Sequence, residues 1–205
     1  MPLYNDNNYF LTAIEARVGA RKNLIIFNEV RAIEEGILNA IELGQLSVNV
    51  ENTYMTDTTT VFPVQNISSV NITTNVFNTA TPHGLSNGDI VRFQSTGLYP
   101  SPITFSRVYY VRVVTPTSFS LTLTLQDALS GTNIIDILST GTGTLQFRKQ
   151  SQSMLYFLVW KEIYKDRVLF DQMEVVINYF KRLGYGINRK TNQSTNVTFY
   201  WEILW

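Results

Sequence analysis

The 205-residue sequence contains no cysteine and only one histidine, and charged residues make up 16% of it. Without cysteine, disulfide bonds, thiolate metal sites and cysteine nucleophiles are excluded. The charged fraction lies well below the usual value of about 25%, which indicates a surface that neighbouring subunits cover. Acidic and basic residues are equal in number. The zero net charge argues against a nucleic-acid coat protein, which carries a basic excess, and favours self-association.

Long apolar runs are also missing. The longest, Leu24–Phe27 and Leu155–Trp160, are far too short to span a bilayer. Residues Met1–Leu11 have neither a basic start nor an apolar run, so no signal peptide is expected. We therefore expect a protein that is made in the cytoplasm, is not secreted and has no membrane partner.

The remaining charges are unevenly distributed, and this predicts the domain organisation. Only nine charged residues lie between Asp57 and Gln152, where Thr, Ser, Val, Ile and Phe dominate instead. These are residues of strands and turns. The shift predicts an inserted all-β domain over residues 57–152. Residues 1–56 and 153–205 would then form one discontinuous core domain.

Both flanks contain a long helical pattern. Apolar residues recur at steps of three and four, the spacing of one helix face. The positions are Ile26, Val30, Ile33, Ile37 and Ile41 within Lys22–Leu43, and Leu169, Met173, Val176, Phe180 and Leu183 in the second flank. Leu24, Phe27 and Leu38 widen the first stripe. A short helix is also predicted near Tyr9–Val18, and Gly44 and Gly184 stand where C-caps would lie.

A strand pattern follows each helix. Apolar and polar residues alternate over Leu46–Val50 and again over Val197–Trp205, with a further strand near Tyr185–Arg189 and a polar turn over Lys190–Asn196. Asp166 or Asp171 suits the start of the second helix. The predicted fold class is therefore α+β, with a two-layer core in which two long helices pack on an antiparallel sheet of three or more strands.

The predicted inserted domain consists of short strands separated by turn signals such as Pro82–Gly84 and Gly141–Gly143. The predicted strands are Ser69–Phe77, Ile90–Gln94, Arg107–Val114, Ser118–Leu125 and Thr144–Arg148. Their spacing is typical of a small antiparallel barrel or sandwich.

Residues capable of catalysis do not form a recognisable constellation. His83 lies between Pro82 and Gly84, which favours a turn residue whose ring bonds a backbone carbonyl over a general base or metal ligand. Asp89 follows a turn glycine and is expected to cap that turn. Glu34 and Glu35 lie off the apolar stripe and are expected on a solvated face. No enzyme activity, catalytic residue, metal site or cofactor is expected.

Two further patterns have a plain structural interpretation beside a functional one. Gly141–Thr144 lacks the ending of a phosphate loop, so a hairpin turn is favoured. The basic residues Arg148, Lys149, Lys161, Lys165 and Arg167 could face packaged DNA, but charges on a helix face are the preferred interpretation.

Aromatic residues make up 13% of the chain. Such rings form cores and subunit interfaces, and they also serve as stacking platforms for sugars. The alternation of Phe199, Trp201, Ile203 and Trp205 indicates a core face. Tyr156, Tyr200 and Tyr109 are the candidate interface or surface-binding residues.

One segment resembles a known β-module. Ala80–Phe93, with the pattern H-G-L-x-x-G-D-x-V-x-F, resembles a segment of tail, fibre and other virion proteins of tailed bacteriophages, and Arg107–Val111 and Thr117–Leu121 resemble the strands that follow it. The flanks, over Ala20–Val48 and Asp171–Trp205, are similar to structural proteins of cyanophage-type viruses.

This resemblance implies a non-catalytic virion component in the neck, tail or baseplate region, located in the virion and assembling with itself, as a symmetric homo-oligomer, and with other virion proteins. Nucleic acid would be met only as incidental contact with packaged DNA. The alternatives are a capsid decoration protein and a tail-fibre module that binds host receptors or glycans.

Overall fold

The described part of the chain has an α+β fold with two antiparallel sheets. The computed structural model describes residues 13–105, 107–191 and 199–205. Within them the helices are α1 (Ala13–Glu42), α2 (Leu125–Ser130), α3 (Gln152–Trp160) and α4 (Arg167–Arg182). The strands are β1 (Ser47–Val50), β2 (Val64–Asn66), β3 (Ser69–Asn71), β4 (Val76–Asn78), β5 (Ile90–Ser95), β6 (Val108–Thr115), β7 (Ser118–Thr122), β8 (Leu145–Gln150), β9 (Gly186–Thr191) and β10 (Phe199–Leu204). Among the helices so described, none combines the length and apolar character needed to cross a bilayer.

Helix α1 is a single helix of 30 residues. It replaces the two helices predicted near Tyr9–Val18 and over Lys22–Leu43, and the part of that prediction before Ala13 lies outside the described residues. The predicted C-cap is confirmed: Gly44 has a φ of 70° and its amide donates to the Ile41 carbonyl at 2.9 Å.

The buried stripe of α1 is narrower than predicted. Ile33 and Ile37 are buried, whereas Ile41 is half exposed. The three residues expected to widen the stripe are all on the surface: Leu24, Phe27 and Leu38. The spacing of apolar residues predicts a wider buried stripe than α1 has, because α4 and the sheet cover only one side of this helix.

Helix α4 begins and ends as its sequence predicts. The Asp166 side chain caps its N-terminus by accepting a hydrogen bond from the Leu169 amide at 3.1 Å. Gly184, with a φ of 92°, follows its last turn. The apolar stripe is buried through Phe180, and Leu183 is exposed.

The first sheet joins the two flanks of the chain. Its order is β1-β10-β9, with both pairs antiparallel and β10 in the centre. Val50 lies opposite Trp201, and Trp201 lies opposite Arg189. The buried face of β10 consists of Phe199, Trp201 and Ile203. The predicted polar turn before β10 lies largely outside the described residues, and its first two residues, Lys190 and Thr191, belong to β9.

Helix α3 was not predicted. Residues Leu155, Tyr156, Phe157, Leu158 and Val159 are consecutive and all buried. A helix that is covered on every side has no polar face, so it shows no helical period.

The middle segment forms the second sheet, in the order β2-β8-β5-β6-β7-β4-β3. Two predicted strands are corrected. Ser69–Phe77 is a hairpin of β3 and β4, and the predicted strand Ser118–Leu125 ends at Thr122, after which Thr124 caps α2. The Thr124 hydroxyl accepts a hydrogen bond from the Asp127 amide. Such a cap favours the start of a helix over a longer strand.

The two end strands of this order are neighbours in the chain. Only Ile67 and Ser68 separate β2 from β3, and their amides donate to the Leu145 and Asn78 carbonyls at 2.9 and 2.8 Å. The stretch from residue 64 to 71 thus pairs with β8 through its first half and with β4 through its second.

Among the residues that the structure describes, buried apolar side chains form two clusters, and the middle segment contributes to both. The four aromatic rings of Phe77, Phe93, Phe119 and Phe147 lie within the second cluster. Strand β6 serves both clusters because its side chains alternate. Tyr109 and Val111 face the second cluster, whereas Val108 and Tyr110 face the first, which is formed mainly by the flanking helices and the three-stranded sheet.

Candidate functional site

Two of the three tyrosines predicted at the surface are in the interior. Tyr156 is fully buried and Tyr109 almost so. The hydroxyl of Tyr156 donates a hydrogen bond to Gln172 on α4, and that of Tyr109 accepts one from the Thr104 amide at 2.9 Å. Both side chains therefore have partners within the chain, and the prediction that they lie at a surface is wrong. Tyr200 is half-buried, opposite Lys190 on the outer face of the sheet, and stays a candidate.

His83 occupies the turn position predicted for it. Its ring is buried, with Nε2 3.0 Å from the Thr115 carbonyl oxygen, while Nδ1 accepts a hydrogen bond from the Leu85 amide at 3.0 Å. These contacts assign the ring proton to Nε2. Because both nitrogens bond to backbone, the ring holds the turn against β6 and β7, and the predicted hydrogen bond to a carbonyl is confirmed.

Asp89 completes the same turn, as predicted. Its carboxylate accepts hydrogen bonds from the Ser86 amide at 2.9 Å and from Lys149 Nζ at 2.8 Å. Asn87 accepts one from the Val113 amide at 2.7 Å. The polar residues of the H-G-L-x-x-G-D pattern therefore fix the shape of the segment.

A buried carboxylate, Glu29, joins three parts of the flanking segments. It accepts hydrogen bonds from the Thr53 hydroxyl, from the Met55 amide at 2.9 Å and from Trp201 Nε1 at 2.5 Å. Burial raises the pKa of this carboxyl, and the three hydrogen bonds oppose that rise. Glu29 was not singled out from the sequence, although it lies three residues after Ile26 and four before Ile33, within the apolar stripe. That position is the signal that could have found it.

The other candidate acids and bases are in ordinary surroundings. Glu35 is exposed and pairs with Arg31 at 3.0 Å. Asp171 pairs with Arg167 at 3.0 Å, and Lys149 pairs with Asp89, so two members of the basic set already have partners. Within residues 13–105, 107–191 and 199–205, histidine, aspartate and glutamate form no group that could hold a metal ion.

A groove lies between α1 and α4. It has a volume of about 620 Å³. Its lining is mostly apolar and consists of Asn23, Ile26, Phe27, Val30, Arg31, Glu34, Val175 and Tyr179. A hydrogen bond of 2.8 Å from the Tyr179 hydroxyl to Glu34 joins the two helices across it. That bond and the negative charge of Glu34 raise the pKa of Tyr179.

Exposed apolar side chains extend this groove into a larger surface, here called the outer helix face. Its members on α1 are Leu24, Phe27, Leu38 and Ile41, and those on and beside α4 are Val168, Val175, Tyr179 and Leu183. Phe27 and Leu38 are 62% and 61% exposed. Helical spacing places Phe27, Leu38 and Ile41 on one side of α1. Arg31 and Glu34 lie between Phe27 and Leu38 on this side of α1, so the face combines exposed apolar side chains with two charged ones. Clustered exposed apolar side chains are typical of a protein–protein contact.

No protein-family model matches the chain, and no curated protein is significantly similar to it in sequence.

Proposed function

We propose that this chain is a non-catalytic structural subunit of a tailed-phage particle, placed in the neck, tail or baseplate region. In this role it assembles with copies of itself and with neighbouring virion proteins. The outer helix face is the surface through which it joins the particle.

The exposure of the outer helix face is the observation that carries this proposal. Phe27 and Leu38 belong to the same helix as the buried Ile33 and Ile37, so α1 is apolar on two sides and the fold covers only one of them. Interfaces are enriched in aromatic residues and depleted of charge at their centres. On the outer helix face, Arg31 and Glu34 are each engaged in a contact, with Glu35 and Tyr179 respectively.

We also propose an architecture that suits this role. Helices α1 and α4 form one layer over the sheet β1-β10-β9, and the middle segment is a small barrel. The continuous stretch from residue 64 to 71 would close that barrel, since it bonds to β8 at one end and to β4 at the other. Closure leaves few free edges, which suits a module that lies among many neighbours.

The resemblance of Ala80–Phe93 to phage β-modules supports the same assignment. The side chains of His83, Asn87 and Asp89 act on the backbone of their own segment. A pattern that shapes a turn agrees with a structural module.

The test is to locate the chain in purified particles by cryo-electron microscopy and mass spectrometry. A ring or collar of density that fits this fold in the neck, tail or baseplate would support the proposal. Density at the capsid surface or at a fibre tip would replace it with decoration or receptor binding. Absence from purified particles would overturn it.

A variant tests the outer helix face. Replacing Phe27 and Leu38 with glutamate should leave folding intact, because both side chains are exposed, and should prevent incorporation into particles. Leu98→Glu is the matched control, because Leu98 is 71% exposed and lies in the middle segment. Normal incorporation of the Phe27/Leu38 variant would show that this face is not the assembly surface.

A further inference from the structure

The three-stranded sheet has one edge without charge, and that edge is β1. Its sequence is Ser-Val-Asn-Val. The opposite edge, β9, contains Arg189 and Lys190. Edge strands are commonly protected from pairing by charged residues, and lysine in particular. By this criterion β9 is protected and β1 is open.

The register of β1 shows which backbone groups point away from the sheet. The Trp205 amide donates to the Leu46 carbonyl at 3.2 Å, and the pairing of Val48 with Ile203 continues the same register. Hydrogen-bonded pairs alternate along an antiparallel ladder, so Val48 and Val50 bond to β10. Ser47 and Asn49 therefore turn their N–H and C=O groups outward, and among the described residues no backbone hydrogen bond outside the β1–β10 ladder reaches either residue.

This edge is also open to solvent. Ser47 and Asn49 are exposed, and a polar cleft runs along residues Gln45–Asn49. Two leucines that precede the strand are largely exposed to solvent: Leu43 is 76% exposed and Leu46 is 74% exposed.

The position of α1 explains where these leucines lie. Gly36 packs so closely on β1 that a Cβ atom there would lie 2.7 Å from Val50 Cγ2. Leu43 is two turns further along, on the same side of the helix. Leu46 shares the helix-facing side of the strand with Val48 and Val50, because side chains alternate.

We propose that β1 pairs with β1 of a second copy of this chain, antiparallel about a two-fold axis at Val48. This inference deepens the self-assembly part of the proposed function. Ser47 of each copy lies opposite Asn49 of the other, which satisfies all the outward N–H and C=O groups of these two residues. The two sheets become one continuous sheet, with the helices of both copies on the same side.

Three features favour a second copy as the occupant. The register is self-complementary, because the two outward residues are placed symmetrically about Val48. Within the paired strands it brings no like charges together, since Glu51 lies opposite Gln45. It also places Leu46 beside Val50 of the other copy, on the apolar side of the sheet. A stable interface covers roughly 800 Å² per partner, more than four strand residues provide, and the exposed Leu43 and Leu46 offer further apolar area beside the strand.

A single introduced cysteine tests the register, because the chain has none of its own. Val48 and its counterpart form a non-hydrogen-bonded pair with Cα atoms about 4.5 Å apart, which is within disulfide range. Val48→Cys should therefore form a disulfide-linked dimer under mild oxidation. Ser47→Cys is the matched control: it is more exposed, but its counterpart is offset by two residues and lies roughly 8–9 Å away, beyond that range.

Proline variants test the edge itself. Asn49→Pro removes an outward N–H and keeps the bonds from β1 to β10, which an edge strand tolerates. By light scattering the wild-type protein should be dimeric or larger, and Asn49→Pro should lose this association with its circular dichroism unchanged. Thr191→Pro, at an outward position of β9, should retain it.

A monomeric wild-type protein, equal cross-linking of the two cysteine variants, or dissociation by Thr191→Pro alone would overturn the β1 pairing. These outcomes are separate from the proposed function. A chain that is found in particles but does not pair through β1 would disprove only this inference, whereas a β1-paired dimer absent from particles would disprove only the virion role.

Discussion

At the residue scale, Glu29 connects distant parts of the chain most directly. A single carboxylate on α1 receives hydrogen bonds from the segment after β1 and from the indole of Trp201 on β10. A buried acceptor of this kind helps to select one arrangement of helix and sheet, because any other packing leaves these donors unpaired.

The raised pKa of Glu29 gives a pH dependence with a definite sign. Burial is the main cause of the rise. Between the ordinary pKa and the raised value, the folded protein keeps a proton that the unfolded chain has released. This contribution to stability is therefore complete below the ordinary pKa and is lost as the pH rises through the folded pKa. Urea denaturation from pH 4 upward should show the decline.

Glu29→Gln removes this titration. Its amide NH₂ must face the donor of either Met55 or Trp201, so we expect a loss of about 1–3 kcal/mol of unfolding free energy, greatest at acid pH. Glu35→Gln is the control, since Glu35 is exposed on the same helix and should change stability by less than about 0.5 kcal/mol. Parallel pH profiles for the wild-type and Glu29→Gln proteins would contradict the assignment.

His83 gives a second residue-scale prediction. His83→Ala removes the hydrogen bonds that the ring makes with the Leu85 amide and the Thr115 carbonyl. It also removes the edge contact between the ring and Phe119. The expected cost is about 1–3 kcal/mol of unfolding free energy, measured by chemical denaturation. Under the proposed virion role, the folded fraction should still enter particles. Loss of incorporation without loss of stability would point to a role for the ring beyond holding the turn.

At the element scale, α1 and β1 depend on the absence of a side chain at Gly36. Gly36→Ala should improve helix propensity by about 1 kcal/mol but clash with Val50 at a cost of about 1–3 kcal/mol. We expect net destabilisation in thermal melts. In the Val50→Ala background the same change should be at least about 1 kcal/mol more favourable, because the clash is gone.

Gly19→Ala provides the comparison within the same helix. A Cβ atom at Gly19 meets nothing within 4 Å. This substitution should therefore stabilise the protein by up to about 1 kcal/mol. If Gly36→Ala were equally stabilising, α1 would have to lie further from β1.

The elements predictable from sequence are those with one solvent-exposed side. Helix α4 shows apolar residues every three or four positions, and strand β10 shows them at every second position. Both patterns are clear because each element has a polar face as well as a buried one. Helix α3 is covered on all sides and gives no period. For the same reason Tyr156 could not be recognised as buried, since a tyrosine in an unassigned apolar run has no predicted environment.

The candidate site was less predictable than the elements. The turn role of His83 follows from its neighbours Pro82 and Gly84, which act locally. The outer helix face cannot be predicted from neighbouring residues in this way. Leu24, Phe27 and Leu38 match a core pattern in the sequence, and only the position of α4 shows that they are exposed. Exposure depends on which helix packs where, and the spacing of apolar residues along one helix does not contain that information.

At the scale of the whole molecule, the middle and flanking segments share a core. Ile90, Val108, Tyr110 and Ala128 from the middle segment lie in the cluster formed by the flanks. The Tyr164 hydroxyl also bonds to the Val108 carbonyl at 3.3 Å. The amino-acid composition changes at residues 57 and 152, the boundary predicted from the sequence. Side chains from the two sides of this boundary nevertheless pack together in one cluster.

Removing Thr58–Gln150 and joining Asp57 to Ser151 through a short Gly/Ser linker tests whether the flanks fold alone. The join is feasible because Ser153 Oγ bonds to the Asp57 carbonyl. We expect the far-ultraviolet spectrum to remain helical and the urea midpoint to fall, since each buried side chain contributes roughly 1.5–3 kcal/mol. Loss of the helical spectrum would show that residues 1–56 and 153–205 are not an independent domain.

The central place of β10 has a consequence for the order in which the protein folds during synthesis. Strand β1 emerges early, but its partner is the last described element of the chain. The second sheet, in contrast, has all its strands once β8 has emerged. The middle segment can therefore fold before α1 has its packing partners, so the apolar residues of α1 stay exposed to solvent during that time. Contacts between such distant parts of a chain also form slowly. Exposed apolar surface on a partly folded chain favours aggregation, so α1 is the element that this delay leaves most vulnerable.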